Sequence, residues 1–598
     1  MKVALGFLIA FALLWAAFDW NWFRPSLERY LSKTSRRTVQ LSDLHLGLDA
    51  ALQPTVRLRG IRIQNAPWAD ARPFAIAGEA RFTFSWASLF DDVRVVTHLV
   101  LVDADIDLER QADGLRNWRL TQPDDRGPGR VRVLSLEAHN SRLRVRHQGL
   151  DLELQTSTTP LPERDGSFTQ RVEFSGKFHG APFAGDGLTG PVLSLQRTGQ
   201  FFALRGQAQS GPTRLKLDGR MADLLQLTGL DAHLQLSGAS LSQLASFLPA
   251  LHWPSSKPYR AEALVTKNAN AMAAKDLHFT MGSSDLSGEA DYDKRDERSV
   301  LHANLQSERI SQADVAALVH SSAGPAAASS SRLLPQSALP LTALNGVDGK
   351  IEWHVRSLQF PSLPAAQSLH ARATLDNGLL QVSLLDSELA EGRVNGQLSL
   401  DNRAQAPAVR LALRAHGVRL EKLWPGSPRL ARVEGPLNID LKLNGRGQSV
   451  ADWAGSVNGQ ASLAMEGGSL SHRLDAKLGL NAGKLLSSFF VGDRQVPIRC
   501  GAFAIDFVDG KGTTRQLVLD TEQTHIQGEG SLLLRDESWA VLLTPQAHHA
   551  ALALNASVLV KGSFRDFSYA LAERRPASSA DSGACSKACA ASTAAGCG

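Results

Sequence analysis

Residues 437–443 read Leu-Asn-Ile-Asp-Leu-Lys-Leu: Leu437, Ile439, Leu441 and Leu443 are apolar, and Asn438, Asp440 and Lys442 stand between them. A period of two places the first set on one face of a strand and the second on the other. The rhythm recurs along the chain. Val409, Leu411 and Leu413 alternate with Arg410 and Ala412, and Leu230, Ala232, Leu234 and Leu236 with Asp231, His233 and Gln235. Leu150, Leu152 and Leu154 flank Asp151 and Glu153, while Val56, Leu58, Ile61 and Ile63 sit among Arg57, Arg59 and Arg62. Strands with one apolar and one wet face belong to antiparallel sheets, and turns such as Asp376-Asn377-Gly378 favour hairpin meanders. The expected fold is mainly β with a few short helices, and parallel βαβ folding is disfavoured.

Composition agrees with a folded, non-nucleic-acid protein. The chain has 598 residues, 43% of them hydrophobic and 21% charged, with a net charge of +5. That length exceeds what one compact core needs, and so mild a positive balance implies no nucleic-acid partner.

Val3 to Phe18 carries no charge and is followed by Trp20, Trp22 and Phe23. Sixteen residues rise about 24 Å as a helix, and the tryptophans suit the headgroup level, so residues 1–23 read as a transmembrane anchor. A cleaved signal peptide is the alternative, without a clean cleavage site. Arg24, Arg29, Lys33, Arg36 and Arg37 follow on the side the positive-inside rule would keep cytoplasmic, yet large domains translocate despite nearby charge. The bulk of the chain is expected in the periplasm.

Apolar spacing of three and four predicts short helices at Ser240–Leu248, Ser311–Val319 and near Leu470–Phe490, lying on a sheet or plugging its end. The third could also dock on a membrane or a partner. Glycine-to-aspartate strands recur irregularly at Gly288–Asp293, Gly396–Asp401 and Gly530–Asp536, as repeated hairpins would. Residues 321–341, rich in Ala, Ser and Pro, read as a linker between a 24–320 region and a 342–575 region, with a disordered tail at 576–598. Cys500, Cys585, Cys589 and Cys597 make no disulfide framework.

No nucleophile elbow, phosphate loop, zinc-protease helix or dinucleotide fingerprint is present, so no catalytic residue, cofactor or metal site is expected. Asp103, Asp105 and Asp107 could line up carboxylates for calcium, but Leu108 stands where the loop needs Gly and Gly114 where it needs Glu, so they read as a solvent-facing strand edge. The pairs Asp91-Asp92 and Asp124-Asp125 read as turns, and His548-His549 as ordinary loop histidines.

Several segments together resemble the AsmA family. Ile61 to Trp68, with Asn65 and Pro67, resembles the start of that family after a single anchor. Leu108-Glu109-Arg110 leading to Asp113-Gly114 and Asn117-Trp118 is similar to its D-G-x-x-N-W turn. Asn377-Gly378 followed by Leu380, Val382 and Leu384, the Gly392 and Gly396 strand, Cys500, Phe503, Asp509-Gly510, Leu517 to Thr521 and Gly528-Glu529-Gly530 are similar to its C-terminal region.

The resemblance implies an elongated, curled β-groove with an apolar concave lining, anchored in the inner membrane of a Gram-negative bacterium and handling phospholipid without catalysis. On that reading Val56, Leu58, Ile61, Ile63, Leu234, Leu236, Leu411, Leu413, Leu437, Ile439, Leu441 and Leu443 are the lining candidates. Lys33, Arg36 and Arg37 are the headgroup-contact candidates. The alternative is a scaffold or regulator of outer-membrane protein assembly, with a protein partner from the periplasm or outer membrane and no lipid cargo.

Overall fold

The computed structural model describes residues 19–91, 93–118, 131–194, 201–223, 228–247, 254–295, 298–315, 333–336, 339, 341–359, 367–423, 433–472, 494–548, 556–564 and 566–572. The chain is mainly β and largely antiparallel, with few short helices. It divides into two compact units, residues 1–253 with 258–276 and residues 254–257 with 277–598. The division lies ahead of the Ala/Ser/Pro-rich segment where the sequence places it.

The N-terminal unit opens with a helix that the sequence reading missed, α1 (Arg24–Ser35). Pro25 pre-sets its first turn, and Arg36 closes it in the left-handed region at φ 52°. Leu27 and Leu31, one helical turn apart, pack on a core of Val39, Leu41, Ile61, Ala77, Ala80 and Ala104. Two side chains of α1 bind the strand beneath it: the Ser32 hydroxyl and Glu28 carboxylate accept from the backbone N–H groups of Val39 (3.0 Å) and Leu41 (2.7 Å).

Below α1 the alternation changes phase. Leu58 and Ile61 are three residues apart yet enter the same core, because Gly60 between them takes φ 56° and turns the strand over. A side chain there would lie 2.3 Å from the Ser42 hydroxyl. The change continues through the neighbouring strand Ala75–Phe84 into Arg94–Arg110 at Asp103, φ 52°, so Leu101 and Ala104 also share that core.

Asp103 is exposed, as the sequence suggests, but the strand that carries Asp103, Asp105 and Asp107 is no edge. Arg94–Arg110 is a central strand, antiparallel to Ala75–Phe84 on one side and parallel to Val131–Val133, Ser135–His139 and Arg142–His147 on the other. Asp105 pairs with Arg144 at 2.7 Å, and Asp107, 1% exposed, faces Arg146. Within this largely antiparallel fold, parallel pairing occurs here and again between Ser299–Ser307 and Val347–Val355.

From Leu152 onward the N-terminal unit is an antiparallel meander, through Phe168–Phe178, Ala181–Thr189, Phe202–Ser210, Thr213–Met221, Leu230–Gly238 and Tyr259–Lys267. In the second unit the meander runs from Val347–Val355 through Ser368–Asp376, Leu379–Leu389, Gly392–Asp401, Ala408–Arg419, Pro436–Arg446, Asn458–Glu466, Gln495–Val508, Lys511–Thr521 and Thr524–Leu533 to Ser538–Ala547. The turn Asp376-Asn377-Gly378 joins two of these strands with φ 46° at Asn377 and 78° at Gly378, as the dipeptide predicts.

Among the described residues the first expected helix is shorter than its apolar spacing suggested, and the other two fall largely outside them. Ser240–Leu248 forms one 3-10 turn, Leu241–Leu244, with Ser240 as its cap, and Leu248 lies outside the described residues. Residues 312–315 are helical, and 316–319 lie outside. Leu470 belongs to the strand Ser469–Ser471, and 473–490 lie outside. Val3–Phe18, most of 321–341 and all of 576–598 also lie outside; among the described residues no helix is long and apolar enough to cross a membrane. Where the linker segment is described it is tied down, since the Glu537 carboxylate accepts from the backbone N–H groups of Leu333 (2.6 Å) and Leu334 (2.8 Å). Cys500 is buried in its strand and disulfide-bonded, so this cysteine is not idle.

The helical turn at 312–315 carries the buried carboxylate Asp314. Burial alone would raise its pKa, but the Lys257 ammonium at 2.7 Å and bonds from Ser284 and Ser283 prevail and hold it at about 2. Its stabilising contribution is complete above the unfolded pKa of about 4 and disappears as pH falls towards 2. Asp314→Asn should destabilise the second unit at pH 7 by on the order of 1–2 kcal/mol, and the gap between variant and parent should narrow on going to pH 3 in denaturant titrations. An equal gap at both pH values would show that the charge of Asp314 is not what stabilises the turn.

Candidate functional site

Pairing in the second unit puts apolar side chains in line across strands. One row runs Ala303, Ile351, Ala373, Val382, Leu398, Leu411 and Leu443, each the register partner of the next. A neighbouring row sets Leu384 beside Gly396, Gly396 beside Leu413 and Leu413 beside Leu441. Because every strand keeps its phase here, the period-two pattern adds up to one apolar face spanning the sheet. The opposite face carries Arg410, Arg414, Asp440 and Lys442, with Arg414 and Asp440 paired at 3.3 Å.

Leu398, Leu411, Leu413 and Leu441 are only half-buried, whereas a sandwich would bury them under a second sheet. Closed cores occur towards the two ends of the strands instead. At one end Val418, Ala390, Ala415 and Leu423 pack with Leu437 and Ile439 under the short helix Leu420–Leu423. At the other, Val457, Ile505 and Phe507 pack with Leu443, just after the helix Val450–Gly455. The middle of this face is thus a strip of leucine between two rims.

One stretch of the face deepens into a cavity of about 320 Å³, lined by Leu437, Leu463, Met465, Phe503, Leu517 and Leu519 and closed by Val433, Leu470 and Ile498. The wall is nearly free of polar atoms because the strands Val433–Glu434 and Ser469–Ser471 pair with the start of Gln495–Val508 and fold their apolar residues over it. Such a volume suits part of an alkyl chain or a few methylene groups of a detergent.

In the N-terminal unit the lining candidates separate into two groups. Leu58, Ile61 and Ile63 belong to the core beneath α1, and Val56 lies in register with Phe82, which packs against that core. This part of the face is covered by the protein's own helix. Leu234 and Leu236 instead lie half-buried, beside Leu217 and Leu215 on one strand and Ala263 and Ala261 on the next. Their reverse face is wet, with Arg220–Asp231 at 2.7 Å and His233–Glu262 at 2.7 Å.

Of the headgroup candidates, Lys33 and Arg36 are exposed. Arg37 is half-buried with its guanidinium over the Phe74 ring, 5.5 Å from the centroid, and burial pushes its pKa down. It is committed to packing. Trp22 and Phe23, 78% and 54% exposed, lead into α1.

The D-G-x-x-N-W turn proves to be a lock. Asn117, fully buried, donates to the Asp107 carbonyl (2.7 Å) and to the Asn65 side chain (3.2 Å), and accepts from the Glu109 N–H (2.8 Å). It ties the end of a central strand to the loop after Pro54–Ile63.

A family model described as the AsmA family matches residues 2–154 and 260–517. The chain belongs to the AsmA family. The first matched block contains α1, its core and the Asn65–Asn117 lock, and the second contains the leucine strip and, apart from Leu519, the residues named above as lining the cavity. The chain is also similar to the AsmA family protein YhjG of Escherichia coli (strain K12), at 22% identity over 616 aligned residues that cover 94% of this chain and 90% of the relative.

Proposed function

We propose that this AsmA-family chain is a non-enzymatic envelope protein that shelters phospholipid acyl chains on its half-exposed apolar faces and so supports lipid transport to the outer membrane. Val3–Phe18 anchors it in the inner membrane, with the β units in the periplasm. The observation that carries the reading is the leucine strip around Leu411, Leu413 and Leu441, left half-exposed between two closed rims. Each methylene sheltered there recovers about 0.8 kcal/mol of the transfer free energy lost on leaving the bilayer, so one acyl chain along the strip offsets much of that loss. The charged reverse face needs no such cover. Exposed Trp22 and Phe23 beside the apolar N-terminus fit an interfacial position.

Leu441→Asp tests this. The full chain, extracted in mild detergent and washed by gel filtration, should retain phospholipid near one molecule or more per chain by mass spectrometry. Leu441→Asp should retain at most about a tenth as much, since a carboxylate in an apolar strip is strongly disfavoured. Lys442→Asp, on the wet face of the same strand, should retain the parental amount. A folded parent without lipid would move the account to the scaffold reading, in which the same faces receive a protein.

A further inference from the structure

We propose that Glu352, His354 and His370 form a binding site for a zinc-class divalent cation on the polar face of the second unit's sheet. Glu352 and His354 are two residues apart on the strand Val347–Val355 and so point the same way. His370 is the register partner of His354 on the antiparallel strand Ser368–Asp376. One ligating atom from each of the three lies within 4.8 Å of the other two.

Two features separate this cluster from ordinary surface histidines. The imidazoles of His354 and His370 stack at 3.9 Å between centroids, and among the described residues neither makes a hydrogen bond; Nε2 of His370 is shut off from solvent without a partner. Other histidines of the chain are hydrogen-bonded: His525 and His548 both bond Oδ1 of Asp520, at 3.1 and 3.0 Å. Glu352 is also held in place. Arg372 Nε (3.0 Å) and Lys350 Nζ (2.8 Å) both reach its Oε1, and among the described residues Oε2 has no partner. A carboxylate oriented by neighbours, with one oxygen left over, is how outer-shell groups prepare a metal ligand.

The donor set selects the ion. Two imidazoles and a carboxylate suit zinc and its first-row neighbours, whereas calcium and magnesium want oxygen alone. Ligands at about 2.0–2.1 Å from a tetrahedral zinc stand about 3.3 Å apart, so the three need to close by about 1.5 Å, within reach of side-chain rotation. His354 and His370 also line a surface depression with Glu308, Arg356 and Asp386, through which water can reach the two imidazoles.

The test is a zinc titration of the detergent-solubilised full chain after chelator treatment, by calorimetry and by metal analysis. The parent should bind a zinc that His354→Ala/His370→Ala binds at least 10-fold more weakly, by analogy with the ~10–100-fold losses from outer-shell changes alone. His525→Ala should match the parent. Circular dichroism checks that the double variant folds, and Glu352→Gln, which keeps the side chain's shape, should also weaken binding if the double variant does not. Cobalt in place of zinc should give a spectrum without the thiolate charge-transfer band that binding at cysteine would show. Equal zinc affinity in the parent and both variants, or a cobalt spectrum that is all thiolate, would overturn the assignment.

Discussion

Arg146→Met is expected to lower the unfolding free energy of the N-terminal unit by about 1–3 kcal/mol, because it leaves the buried Asp107 carboxylate without its cation, although the Arg146 side chain is itself 37% exposed and so partly screened by water. The guanidinium serves three carboxylates at once: Asp70 at 3.0 Å, Glu109 at 3.1 Å and Asp107 at 3.4 Å. Burial would lower the pKa of Arg146, but Asp107, Glu109 and Asp70 outweigh it and hold it above the ordinary value. Burial dominates at Asp107 and pushes its pKa up even with Arg146 and Arg144 present. Without Arg146 that carboxyl has still more reason to take up a proton. A group with a raised folded pKa loses stability as pH rises through it, so the deficit of the variant should grow from pH 5 to pH 8. Arg146→Lys should recover only part of the loss, because an ammonium lacks the planar fork that reaches three acceptors. Denaturant titrations at the two pH values check this, and a deficit under 1 kcal/mol would mean that the network is solvated and marginal.

Leu470→Ala is expected to cost about 2–5 kcal/mol in the second unit. Leu470 is 1% exposed and packs with Met465, Ile498, Val433, Leu437 and Leu519. It closes the 320 Å³ cavity, so truncation also enlarges the apolar space. A thermal melt should record the loss, and added long-chain detergent or lysophospholipid should restore part of it by filling the void, as binding to the folded state alone must. A variant as stable as its parent would show that the strands around Leu470 collapse freely and that the cavity is not a rigid feature.

The sequence made the strips of this fold legible where strands keep one phase. Leu411, Leu413, Leu441 and Leu443 fall on one face because nothing between them breaks the period of two, and Asn377-Gly378 marks its own hairpin. Reading failed where backbone conformation resets the phase. Val56, Leu58, Ile61 and Ile63 look like one continuous lining, yet Gly60 turns the strand over and α1 covers the result. α1 carried a signal in Pro25, Leu27 and Leu31, but its three basic residues, Arg24, Arg29 and Lys33, run on into Arg36 and Arg37 and mask the short apolar stripe. Asp103 to Asp107 were misread because strand centrality depends on long-range parallel pairing with residues 131–147, which no local pattern announces. The pairing of His354 with His370 is likewise a matter of register, invisible until the two strands are aligned.

Photo-crosslinking in living cells tests the central claim most directly. A benzophenone amino acid placed at Leu413, on the apolar strip, and at Arg414, its neighbour on the wet face, would each be irradiated in the full chain and the products weighed by mass spectrometry. The account predicts phospholipid adducts from position 413 and none above background from 414. Adducts to protein alone at 413, or lipid adducts of equal yield at both positions, would contradict it.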